Sequence, residues 1–198
     1  MIIKKVVVSL FQTNCYILIE GKDAVVIDPG DSFRKIDKEL SGYNVAAVLL
    51  THGHYDHINA VNQLYNKYHC PVYMCKEDEK MVRDVKYNCT ALFKKAINCP
   101  IEFLQGNQLS INNFSIGILY CPGHSKGSVM YIIDNKLFSG DTLFYLSIGR
   151  TDLYGGSEHQ IIESLQQIRS LDRNMEVYPG HGEKTTVGFE LDNNSYLQ

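Results

Sequence analysis

The sequence has no surplus of basic residues, no long apolar run and no closely spaced cysteine pair. It carries 19 Lys and Arg and 22 Asp and Glu, a formal net charge of -3. This charge disfavours a polyanionic partner such as nucleic acid. The apolar run near the start is short and is broken by Gln12, Thr13 and Asn14, with no small-residue cleavage site after it. We therefore expect neither a signal peptide nor a membrane-embedded segment.

The six cysteines are spread along the chain and include no C-x-x-C motif. Without an export signal, this spacing predicts reduced thiols in a cytoplasmic protein. Cys70 and Cys75 flank a short apolar segment, and we interpret them as thiols beside a buried strand, with a shared metal as the alternative.

The length of 198 residues and the apolar content of 44% suit one domain, residues 1–198, with a well-developed core. Strand-like runs alternate with helical patterns, and "VAAVLL" at residues 45–50 is typical of a strand buried on both faces. Helices are predicted near residues 77–88 and 161–170. We therefore predict an α/β fold in which two sheets pack together and are covered by helices.

Four short stretches share one pattern, in which a strand ends and a glycine-containing turn presents a side chain that can bind a metal ion. These residues are His52, His54, Asp56 and His57 in "THGHYDH", His124 in "CPGHS", Asp141 in "SGDTLF" and His181 in "YPGHG". Each histidine alone would be an ordinary one, as we interpret His69 and His159, but the full set indicates a metal site. Imidazole and carboxylate ligands fit zinc, iron or manganese.

Seven ligands are too many for one tetrahedral ion. Two ions about 3.5 Å apart could each take three terminal ligands and share one carboxylate. The sequence therefore predicts two divalent ions, zinc first, with iron or manganese as the alternatives.

With these residues the chain resembles the metallo-β-lactamase superfamily of binuclear hydrolases, and within it glyoxalase II (hydroxyacylglutathione hydrolase) and its short bacterial relatives. The likeness extends from "TNCY" and "VIDPG" to the last histidine. It implies an αββα sandwich of two mixed sheets flanked by helices, with the site where the sheets meet. It also implies that His52, His54 and His124 bind the first ion, that Asp56, His57 and His181 bind the second, and that Asp141 bridges them.

Some details distinguish this chain from branches of the superfamily. The commonest β-lactamases have cysteine where Asp141 stands, and glyoxalase II has lysine and tyrosine where this chain has Arg150 and Asp152. Arg150 could bind a carboxylate of the substrate, or it could form an ion pair with Asp152 that holds the loop. Only 17 residues follow His181, so we expect the helical glutathione-binding region of glyoxalase II to be missing.

The resemblance implies a hydroxide that bridges two metals and attacks the carbonyl of a small-molecule thioester, with Asp56 as the catalytic residue that orients it. Tyr145, Ser147 and Arg150 are the predicted substrate-binding residues. The alternatives are an iron-dependent persulfide dioxygenase, because "GRTD" at residues 149–152 also occurs in that relative, and another ester or lactone hydrolase of the same fold. A non-catalytic metal-binding module is a further alternative. The oligomeric state is left open.

Overall fold

The computed structural model describes residues 1–88 and 96–198 of the chain. Most of its strands belong to two six-stranded sheets. In chain order the strands are β1 (Ile2–Val8), β2 (Thr13–Glu20), β3 (Asp23–Ile27), β4 (Asn44–Leu49), β5 (Val72–Met74), β6 (Glu102–Phe103), β7 (Gln108–Ile111), β8 (Phe114–Tyr120), β9 (Val129–Ile133), β10 (Lys136–Gly140), β11 (Leu143–Phe144), β12 (Ser147–Ile148), β13 (Glu176–Pro179) and β14 (Thr185–Thr186).

Both sheets are mixed. The first has the order β1-β2-β3-β4-β5-β6, antiparallel from β1 to β3 and parallel from β3 to β6. The second has the order β14-β13-β10-β9-β8-β7, in which β10 and β13 are parallel and the other neighbours antiparallel. Strands β11 and β12 form a separate hairpin.

Helices cover the outer faces of the sheets. They are α1 (Phe33–Glu39), α2 (Tyr55–Ile58), α3 (Val61–Tyr68), α4 (Glu79–Arg83), α5 (Glu158–Leu165) and α6 (Val187–Asn193), with 3-10 turns at Lys76–Asp78, Gln166–Ser170 and Ser195–Leu197. None of the helices in the described ranges is long and apolar enough to cross a bilayer.

The side chains of β2 show how the sequence produces layers. Successive residues of a strand point to opposite faces. Cys15 and Ile17 therefore join the core beneath α1 and α3, whereas Tyr16 and Leu18 join the core between the two sheets. A third core lies under α5 and α6 on the far side of the second sheet. This succession of helices, sheet, sheet and helices confirms the predicted αββα fold.

The helix predicted at residues 77–88 is shorter than expected. A 3-10 turn comes first, α4 ends at Arg83, and residues 85–88 form a turn. Tertiary contacts explain the early end, because Arg83 donates to the carbonyls of Ile97 and Cys99, and the carbonyl of Asn88 accepts from the amide of Tyr55. The prediction of a helix through residue 88 was therefore wrong in its second half.

The cysteines that the structure describes (Cys15, Cys70, Cys75, Cys99 and Cys121) are buried free thiols, and Cys89 lies outside the described residues. Cys70 and Cys75 stand on either side of β5, as the interpretation of a flanked strand predicts.

Candidate metal centre

The four ligand-bearing stretches meet at one edge of the sandwich because their strands end there. "THGHYDH" follows β4 of the first sheet, and the other three stretches follow β8, β10 and β13 of the second. β8 and β10 both run antiparallel to β9, and β13 runs parallel to β10, so all three end at the same edge. The sheets are joined at this edge, where the amide of Asn14 donates to the carbonyl of Gly180.

Three buried imidazoles form the first ligand group, His52, His54 and His124. His54 Nδ1 lies 2.8 Å from His124 Nε2, which in turn lies 3.3 Å from His52 Nε2. Three ring nitrogens thus face one point, an arrangement that suits a bound cation.

The second ligand group consists of Asp56, His57 and His181. His57 Nε2 and His181 Nε2 are 3.3 Å apart, and Asp56 Oδ2 lies 3.6 Å and 3.3 Å from them. Asp56 and His57 belong to the first turn of α2, which brings both side chains to the same end of the helix. This group is more open, since the side chain of His181 is 26% exposed.

Asp141 stands between the two groups. Its Oδ1 lies 3.4 Å from His57 Nε2, and its Oδ2 lies 3.6 Å from His124 Nε2 and 3.4 Å from His181 Nε2. One carboxylate therefore reaches members of both groups, which is the geometry that a bridging ligand requires.

Outer hydrogen bonds orient the imidazoles. The Nδ1–H of His57 donates to Asp28 Oδ2 at 2.9 Å, and Thr51 Oγ1 donates to the same oxygen at 2.6 Å. The Thr51 hydroxyl oxygen is then free to accept from His52 Nδ1 at 3.0 Å. Asp28 thus fixes the tautomers of two histidines and directs the Nε2 lone pair of each toward the centre.

Two backbone carbonyls do the same for the remaining Nε2 ligands. His124 Nδ1 donates to the carbonyl of Arg150 at 2.7 Å, and His181 Nδ1 donates to the carbonyl of Phe11 at 3.0 Å. Loops distant in sequence therefore set the ring orientation of both histidines.

Asp78 holds together the two loops of the first ligand group. Its buried carboxylate accepts from the amide of Gly53 at 2.9 Å, from Ser125 Oγ at 2.7 Å and from the amide of Gly127 at 2.8 Å. Gly53 separates His52 from His54, and Ser125 follows His124. Asp78 is therefore a positioning residue for this group.

The electrostatics of the two groups differ. Burial and the neighbouring imidazoles lower the pKa of His52 well below its ordinary value and that of His54 to about 3, so both rings are neutral bases. Burial also opposes the charged form of His57, but the carboxylates of Asp141, Asp56 and Asp28 outweigh it and raise its pKa to about 9. The same negative potential would attract a divalent cation.

The donor set fits divalent metal ions. Asp141 Oδ1 is buried without a hydrogen-bond partner among the described residues, which is costly unless another group satisfies it. A methyl group on Gly180 would lie 2.2 Å from Asp141 Oδ1 and 2.8 Å from a carbon of the His57 ring. The backbone is thus shaped closely around the ligands, and the chemistry of the donors is that of zinc, iron or manganese.

A cavity of about 550 Å³ opens directly onto the ligands. Besides five predicted ligands, its lining consists of Phe11, Tyr55, Phe144, Arg150 and Leu153. The volume lies in the range of small-molecule sites.

Of the three predicted substrate-binding residues, Arg150 lines this cavity, whereas Tyr145 and Ser147 are not among its lining residues. The Tyr145 ring stacks on Phe189, with centroids 5.2 Å apart, and Ser147 lies exposed on β12. Contact of all three with substrate stays a prediction. The ion pair considered for Arg150 is present, since its Nε and Nη2 each lie 2.7 Å from an oxygen of Asp152, although both side chains are largely exposed.

Sequence reasoning missed three positioning residues: Thr13, Asp28 and Asp78. A signal existed for Asp28, because "VIDPG" shows the same succession of strand end, polar residue and glycine turn as the ligand stretches. No local signal marks Thr13, whose hydroxyl donates to Asp56 Oδ2 at 2.9 Å across 43 positions. The partners of Asp78 are equally remote along the chain.

Comparison with known sequences identifies the family. Residues 8–181 match the sequence model described as "Metallo-beta-lactamase superfamily". Among curated proteins, a probable metallo-hydrolase, YqgX of Bacillus subtilis, is 34% identical over 98% of this chain and 96% of its own length. A probable polyketide biosynthesis zinc-dependent hydrolase, BaeB of Bacillus velezensis, is 32% identical over 96% of this chain and 84% of its own length.

Solved structures show the same architecture. The BLEG-1 B3 metallo-beta-lactamase is 35% identical with a TM-score of 0.95, covering 100% of both chains. TTHA1623 in a di-iron-bound form is 33% identical with a TM-score of 0.89, covering 98% of this chain and 100% of that one. ETHE1 from Myxococcus xanthus is 25% identical with a TM-score of 0.78, covering 98% of this chain and 84% of that one.

Proposed function

The chain belongs to the metallo-beta-lactamase superfamily, and we propose that it is a metallo-hydrolase that cleaves the thioester of an S-acyl thiol. One observation carries the proposal: Asp141 stands within 3.6 Å of members of both ligand groups, beside a cavity of substrate size. We assign the first ion to His52, His54 and His124, the second to Asp56, His57 and His181, and the bridge to Asp141.

In this reaction water adds to the acyl carbon and the C–S bond breaks, giving a carboxylic acid and a thiol. Divalent ions in the two groups would lower the pKa of water from about 15.7 to roughly 7 and polarise the carbonyl. Asp56 orients the attacking water, because its carboxylate faces the cavity and Thr13 holds it in place. A thiolate is a good leaving group, so the reaction needs no dedicated general acid.

Zinc is the metal that we propose for both groups, since neutral imidazoles and carboxylates suit it and since BaeB is described as zinc-dependent. The di-iron form of TTHA1623 makes iron the alternative that a test has to include.

Metal analysis combined with turnover tests the proposal. We expect about two ions per chain in the purified protein and thiol release from a panel of small thioesters that includes lactoylglutathione. Removal of an outer hydrogen-bond partner costs up to roughly 100-fold in activity. We expect Asp141→Ala to lose more than this in kcat/KM and to bind at least one ion fewer. Full activity in Asp141→Ala would refute the bridge. Much less than one ion per folded wild-type chain would favour a non-catalytic module.

A second candidate is an iron-dependent persulfide dioxygenase, favoured by "GRTD" at residues 149–152 and by the likeness to ETHE1. Oxygen consumption with a persulfide by the iron-loaded protein, without thioester turnover, would support it over the hydrolase. The likeness to the BLEG-1 metallo-beta-lactamase makes β-lactam hydrolysis a further activity to test, so the substrate panel should contain a chromogenic β-lactam. It should also contain a lactone, to test the ester or lactone hydrolase alternative.

A further inference from the structure

The cavity beside the ligand groups has one apolar wall that is largely exposed. Phe11 lies in the turn between β1 and β2 and is 56% exposed, and its neighbour Leu10 is 86% exposed. The turn is held at the cavity, because the carbonyl of Phe11 accepts from His181 Nδ1 and the Phe11 ring packs edge-on against Tyr55 at 5.7 Å. Exposed apolar groups fixed beside a ligand cluster are typical of a binding surface.

The facing part of the lining is apolar as well. The Phe144 ring, at the end of β11, lies 6.0 Å from the His181 ring, and Leu153 follows the Arg150 loop. Both are partly buried. The acyl chain of a substrate whose carbonyl faces the ligand groups would therefore pass between aromatic and aliphatic side chains.

The one lysine or arginine among the described lining residues is already engaged. Arg150 forms two hydrogen bonds of 2.7 Å with the carboxylate of Asp152, so its charge is compensated by a side chain of the same loop. A carboxylate on the substrate would have to compete with Asp152 and would be repelled by it. The described lining thus favours an uncharged substituent.

We propose that this site selects thioesters with an uncharged, apolar acyl group of several carbons, which lies against Phe11, Tyr55, Phe144 and Leu153 while its carbonyl faces the ligand groups. The inference rests on the proposed thioesterase function and names its substrate class. Phe11 and Leu153 are specificity residues, and the Arg150–Asp152 pair excludes acidic acyl groups.

A series of thioesters of N-acetylcysteamine tests the proposal with the metal-loaded protein. From acetyl through butyryl to hexanoyl, we expect kcat/KM to rise about 3–4-fold for each added CH₂, or about 80–250-fold over the four added groups. Succinyl should be cleaved at least about 10-fold less efficiently than butyryl. Equal rates along the series, or a preference for succinyl, would overturn the proposal.

Variants show which side chains cause the preference. Phe11→Ala and Leu153→Ala should flatten the chain-length dependence through KM, with a larger loss of efficiency for hexanoyl than for acetyl. Ile2→Ala, which shortens an exposed apolar side chain outside the cavity lining, should keep the wild-type dependence. Asp152→Asn should raise the efficiency with succinyl relative to butyryl, because Arg150 then keeps an uncompensated charge. If these variants leave both the chain-length preference and the preference for butyryl over succinyl unchanged, the roles assigned to Phe11, Leu153 and Asp152 are wrong.

Binding of hydroxamates separates this inference from the proposed function. Acetyl-, hexanoyl- and succinyl-hydroxamate present the same metal-binding group with different substituents, and calorimetry measures their affinity without any turnover. Tightest binding of hexanoyl-hydroxamate, weakened in Phe11→Ala, supports the apolar cavity even if no thioester is cleaved, and the thioesterase proposal alone then fails. Equal binding of the three, in a protein that does cleave thioesters, refutes the selectivity alone.

Discussion

The two ligand groups of the candidate metal centre differ in charge and in exposure. The first consists of three imidazoles that are at most 4% exposed, with no carboxylate among them, and Asp78 holds its two loops together. The second contains the carboxylate of Asp56 and the imidazole of His181, whose side chain is 26% exposed. The difference predicts that the first group retains its ion more firmly than the second, while residues of both groups line the cavity.

Loss of one ligand from either group should have the largest effect. We expect His54→Ala and His181→Ala each to retain about one ion in place of two and to lose more than about 100-fold in kcat/KM. The ion that remains in His181→Ala should exchange with a chelator more slowly, because the first group is buried. His159→Ala, which changes an exposed side chain paired with Glu163, is the matched control. Equal exchange rates of the remaining ion in the two variants would refute the proposal that the first group holds its ion more firmly.

Asp28→Asn should come next, with a loss of about 10–100-fold in metal affinity and activity. The asparagine side chain has a single oxygen, so it cannot accept both from the amide of Thr51, as Asp28 Oδ1 does, and from His57 Nδ1 and Thr51 Oγ1, as Asp28 Oδ2 does. Both ligand groups should therefore weaken. Chelator competition on Asp28→Asn combined with His54→Ala or with His181→Ala measures the loss of metal affinity in each ligand group separately. Asp134→Asn, at an exposed acid paired with Lys136, should behave as wild type. An effect on one group alone would contradict the shared role.

Asp78→Asn should weaken the first group selectively, by about 10-fold in affinity. The amide can no longer satisfy all three donors, and each buried donor left without a partner costs about 1–3 kcal/mol, so the melting temperature should fall too. The measurement is metal affinity of Asp78→Asn in the His181→Ala and His54→Ala backgrounds. A general loss of stability would lower both affinities, whereas a positioning role lowers that of the first group.

Thr13→Val should have the smallest effect and should act on the second group. It removes the hydroxyl that donates to Asp56, a contribution of about 0.5–1.5 kcal/mol or about 2–10-fold in affinity. Thr13→Ser keeps the hydroxyl and should restore wild-type values. Failure of serine to restore them would attribute the effect to packing of the methyl group.

The sequence was most informative where local pattern and tertiary environment agree. The strand of "VAAVLL" was predictable because a strand buried on both faces needs apolar residues at every position, and Val48 and Leu49 indeed belong to different cores. The end of α4 was not predictable, since Arg83 and Asn88 make their bonds to segments far along the chain. Local periodicity carries no information about such partners.

By itself, the sequence determined that strand ends present seven side chains able to bind a metal ion, because residue type and adjacent glycine turns are local properties. The resemblance carried by the same motifs gave the superfamily and the αββα fold. Only the tertiary structure decided that Asp141 lies between two groups, that Asp28 and Asp78 orient the ligands, and that Arg150 is paired beside an apolar cavity. These are contacts between loops of different strands, and their distances depend on how the two sheets pack against each other.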